Sequence, residues 1–66
     1  MAATTRGKLK EHYEGMHRNC DWIMKHIIDC LELVQDKNDK LSTATKQIAE
    51  LTKVLDEFVM RIYANL

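Results

Sequence analysis

His17 and Cys20 stand three residues apart, and His26 and Cys30 stand four apart. On a helix either spacing places an imidazole and a thiol on one face, and several chains together would pool such pairs into a Zn²⁺ site. The sequence contains no C-x-x-C or H-E-x-x-H pattern to strengthen that reading. A plainer role suits the cysteines, as small core hydrophobes whose shielded thiols are poor nucleophiles. The expectation is therefore no metal, no cofactor and no catalytic residue.

The elements that must position these side chains follow from the apolar periodicity. Alternate steps of four and three residues from Leu9 reach Tyr13, Met16, Cys20, Ile23, Ile27, Cys30, Val34, Lys37, Leu41, Ala44, Ile48, Leu51, Leu55, Phe58, Ile62 and Asn65. Only Lys37 and Asn65 break the apolar run. This is a heptad repeat, with Tyr13, Cys20, Ile27, Val34, Leu41, Ile48, Leu55 and Ile62 at a and the others at d. One frame kept over so many heptads predicts an all-α chain, a single helix over 9–65 wound into a parallel left-handed coiled coil. Such a helix would be about 85 Å long at 1.5 Å per residue. Residues 1–8 are read as a flexible N-terminus. The alternative is a two-helix hairpin turning near residues 36–42, where Gln35-Asp36-Lys37-Asn38-Asp39-Lys40 is polar and Asp39 or Ser42 could cap a second helix.

Composition agrees with long helices. The chain has no proline and two glycines in 66 residues, with 30 % charged and 6 % aromatic side chains. A formal net charge of zero gives no global field for nucleic acid or anionic lipid. No apolar run approaches the roughly 18 residues of a membrane span, and Met-Ala-Ala-Thr-Thr lacks the apolar core of a signal peptide. Two cysteines are too few for a disulfide framework, so a soluble cytoplasmic protein is expected.

Acidic residues all lie outside the seam and its e and g flanks, which instead carry Lys10, His12, His17, His26, Lys40 and Arg61 with Met24, Leu31, Leu33, Val54 and Val59. A parallel homodimer would find no unlike charges across these flanks. Ile23 and Phe58 at d suit a wider core, so a trimer is favoured. The expected partners are further copies of the chain, other helical proteins with acidic flanks, or both. Protonated His12, His17 and His26 would crowd one another in a parallel bundle as pH falls. Lys37 is the candidate for fixing register or pairing with a partner's acid. Trp22 and Ile28, off the seam, are candidates for docking another protein on the outside.

The stretch from Ile27-Ile28-Asp29-Cys30-Leu31 through Lys40-Leu41-Ser42-Thr43 to Ile62 resembles the small helical subunits of the WAVE and WASH actin-regulatory complexes, the Brick subunit in particular. The resemblance implies a short helical protein lying along partner helices in a three-stranded bundle, or forming a homotrimer. Asp21-Trp22 is followed by Ile23-Met24, so the Brick family's upstream motif is absent and no functional residue carries over. The function expected is that of a non-enzymatic scaffold subunit, and the resemblance implies a cytoskeletal complex as its setting. A hairpin chaperone or adaptor that shields a partner's helix, and a SNARE-like tethering helix, are the alternatives.

Overall fold

The structure is a computed structural model that describes residues 3–35 and 37–66. It is all-helical. Helix α1 spans Ala3–Val34, helix α2 spans Asp39–Ala64, and the two pack antiparallel against each other. The single continuous helix over 9–65, and with it the long parallel rod, is not formed. The chain reverses in the polar stretch, giving the hairpin alternative, a slab of 53 × 15 × 12 Å between Cα atoms.

Local chemistry explains the break. Gln35 takes a left-handed backbone conformation, φ 44°, directly after the last residue of α1. Its N–H still donates to the Leu31 carbonyl at 2.9 Å, and the Lys37 N–H then donates to the Val34 carbonyl at 3.0 Å. One left-handed residue after a helix turns the chain aside. Asn38 next opens α2 in an extended conformation, its side-chain oxygen accepting the Leu41 N–H at 3.0 Å. That bond satisfies one of the otherwise unpaired donors of the first turn, and Asp39 beside it complements the helix dipole. Asp36 lies outside the described residues.

The helices meet along only part of the heptad seam, the a row of α1. On α1 the most enclosed residues are Tyr13, His17, Cys20, Met24, Ile27, Leu31 and Val34, the a and e rows. On α2 they are Ser42, Thr45, Ala49, Thr52, Asp56, Val59 and Tyr63, the b and e rows. Small side chains on α2 let it lie against the larger ones of α1. Thr45 and Thr52 are buried without loss of hydrogen bonding, because their hydroxyls donate to the Leu41 and Ile48 carbonyls of their own helix at 2.7 and 2.8 Å. Among the described residues the buried hydrophobic core is only Cys20, Ile27 and Val59.

Candidate functional site

The hairpin has two unlike sides. Antiparallel packing of the a/e rows of α1 on the b/e rows of α2 leaves the d row of α1 and the a and d rows of α2 on the same side. The pairing is visible near the turn, where Cys30, Leu33 and Val34 line one apolar cleft with Leu41 and Thr45. From there the face runs along α1 through Ile23 and Met16 and along α2 through Ile48, Leu51, Leu55, Phe58 and Ile62. Leu51 is 71 % exposed, Phe58 54 % and Leu33 81 %. Ala44 shares the exposure, and Leu9 is half-buried at the far end. The face carries no acidic residue, and His12, Asn19 and His26 edge it on α1. The guanidinium of Arg61 stands 5.4 Å from the Phe58 ring centre, giving the ring a cationic border.

The opposite side is polar and internally paired. His17 Nδ1 lies 2.7 Å from Asp56 Oδ1 and its Nε2 lies 3.7 Å from Asp21 Oδ2. Hydrogen bonding to Asp56, helped by the charges of Asp56 and Asp21 and opposed by partial desolvation, raises the imidazole above its ordinary 6.5. One turn towards the N-terminus the Tyr63 hydroxyl donates to Glu14 Oε1 at 2.6 Å, which holds the phenol above its ordinary 10.0. Glu14, His17 and Arg18 face Met60 and Tyr63 there, and Cys20, Asp21 and Met24 face Thr52, Lys53, Asp56 and Glu57 beside them.

The seam candidates are thus divided between the contact of the two helices and the open apolar face. Tyr13, Cys20, Ile27 and Val34 turn inward to α2, while Met16, Ile23, Cys30, Leu41, Ala44, Ile48, Leu51, Leu55, Phe58 and Ile62 stay open to solvent. Lys37 is exposed in the link between helices, so it occupies no layer of a seam. Trp22 and Ile28 are exposed, 60 % and 52 %. Trp22 is partly covered by its own helix, with the Lys25 ammonium 4.9 Å from its ring centre and the His26 ring tilted against it at 33°, 6.5 Å between centres.

Among the described residues the four candidate metal ligands are not gathered into a group of three or more: Cys20 is buried, His17 half-buried, and His26 and Cys30 are exposed. Burial raises the Cys20 thiol above its ordinary 9.0, with further upward pushes from Asp56 and Asp21. His17 finds its partner in Asp56, 39 residues away, which no local spacing reveals. His17, Asp21 and Asp56 place one donor atom each within 4.8 Å of the others. Both imidazole nitrogens already face carboxylates, so the arrangement is accounted for as an ion pair joining the helices. Among the described residues no helix is long and apolar enough to cross a membrane.

No family model, curated protein or solved structure matches the chain.

Proposed function

We propose that this chain is a non-enzymatic assembly module that works by covering its apolar face with other helices. One observation carries the reading: a continuous, acid-free apolar face lies along one side of both helices, while the other side closes on itself through His17–Asp56 and Tyr63–Glu14. Large apolar side chains in water are costly, at about 25 cal/mol per Å². Contiguous exposed patches of this kind mark association surfaces. The hairpin form favours an adaptor that shields partner helices over a rod that spans distance. Its resemblance to the small WAVE and WASH subunits supplies a setting for that role, a cytoskeletal complex in the cytoplasm.

The test is site-directed photo-crosslinking in living cells. A photoreactive residue at Phe58 should give protein adducts, and one at Lys53 on the polar side should give far fewer. Equal yields from the two sites, or none from Phe58, would overturn the reading.

A further inference from the structure

We propose that the apolar face is closed by a second copy of this chain, two hairpins stacking face to face into a four-helix bundle. The inference rests on the reading of that face as the association surface and names its occupant.

Surface area argues first. The chain exposes 5427 Å² at a mass of 7.7 kDa. A folded monomer of that mass exposes about 4,300 Å², so the excess is about 1,100 Å². A standard protein interface removes about 800 Å² from each partner. The hairpin therefore carries surplus surface of the size one partner's share requires, and the exposed large apolar residues concentrate on this face.

Width argues next. One helix laid in the groove between α1 and α2 would cover the inner rows, Leu41, Ile48 and Leu55 on α2 and Cys30 on α1. It would leave the outer residues wet: Leu51 and Phe58 on the far edge of α2 and Leu33 on that of α1, all more than half exposed. Covering both edges takes two helices side by side. A second hairpin supplies two helices of the same length, with an apolar face of the same length and width.

Charge permits the pairing. Each chain has a net charge of zero and an acid-free face, so no pair of carboxylates is forced together. Basic groups near the face, Lys40 and Arg61, stand at its outer border where they can stay hydrated. Stability points the same way. Among the described residues the buried hydrophobic ones are Cys20, Ile27 and Val59, little core for a chain of 66 residues, and four helices enclose a second core between the hairpins.

Sedimentation equilibrium on the purified chain is the deciding experiment. The parent should sediment at twice the 7.7 kDa chain mass at hundred-micromolar concentration. Leu51→Glu places a charge in the interface and should weaken association more than about hundredfold, giving a monomer. Ile28→Glu makes the same chemical change on the b row, with Glu14 and Asp21, and should remain a dimer. A monomeric parent, a trimer, or a dimeric Leu51→Glu would overturn the proposal. Circular dichroism accompanies each sample. If Leu51→Glu also loses its helix, the decision passes to the parent's melting temperature, which must rise with concentration; a constant value overturns the proposal. A monomeric parent whose Phe58 still crosslinks to other proteins in cells would sink the self-pairing and leave the assembly reading standing.

Discussion

His17 shows how one side chain changes meaning when its partner is known. In a parallel bundle, protonated histidines at the flanks would repel, and falling pH would weaken the assembly. In the hairpin His17 points instead at Asp56 on the other helix, with Asp21 on its own helix beyond it. Its folded-state value is raised, chiefly by the hydrogen bond to Asp56. A raised value means that folding binds the proton more tightly than the unfolded chain does. The stabilisation is therefore fully present below the ordinary 6.5 and is lost as pH rises through the raised value. Melting temperatures of the parent and His17→Gln should accordingly differ more at pH 6 than at pH 8.5. Equal differences at the two pH values would show that the His17–Asp56 contact does not hold in solution.

At the scale of the helix, two positions are tuned below their optimum. Gln35 sits at φ 44°, where a side chain costs energy that glycine avoids. Gln35→Gly should stabilise the hairpin by up to about 1 kcal/mol in chemical denaturation. A loss of stability would mean that the chain prefers to run on as helix through residue 35. Thr52 is buried between the helices, with its hydroxyl spent on its own Ile48 carbonyl. Thr52→Val removes that polar group from the interface and should add about 0.5–1 kcal/mol, read in the same titration. These elements also show what the sequence made legible. Helical character and the apolar rows led correctly to α-helix, whereas the lack of glycine and proline in the polar stretch argued for a helix that runs on, and the chain turns there. The stop did not stand out, because it depends on Asn38 as a cap and on Gln35 in a conformation usually left to glycine or asparagine. The unbroken heptad frame is a true pattern, but it does not run through one continuous helix. Its a row on α1, Tyr13, Cys20, Ile27 and Val34, packs on α2, while the d row of α1 and the a and d rows of α2 face outward; α2 meets α1 through Thr45, Ala49, Thr52 and Asp56, residues no heptad seam flags.

The whole molecule is best separated from its extended alternative by length. The same apolar rows could be satisfied by opening the link and drawing α1 and α2 into one rod, at the loss of His17–Asp56, Tyr63–Glu14 and the Asn38 cap. Apolar rows are covered in either arrangement, but only the hairpin also uses these polar contacts across 39 and 49 residues of sequence. Each contributes little, but helix pairs of this size are marginal, so small contributions shift the balance. In the hairpin, face-to-face pairing thickens the slab without lengthening it much, since the second copy lies along the first. Small-angle X-ray scattering of the associated protein should therefore give a maximum dimension near the hairpin's 53 Å, extended only by side chains and any axial offset. A bundle of continuous helices over 9–65 would approach about 85 Å. Scattering that shows the longer dimension would mean that the link straightens on assembly. Lys37 would then return to the seam, and replacing it with leucine would raise the melting temperature. In the hairpin the same Lys37→Leu substitution lies on an exposed link and should change stability by less than about 0.5 kcal/mol, so the two measurements must agree with each other.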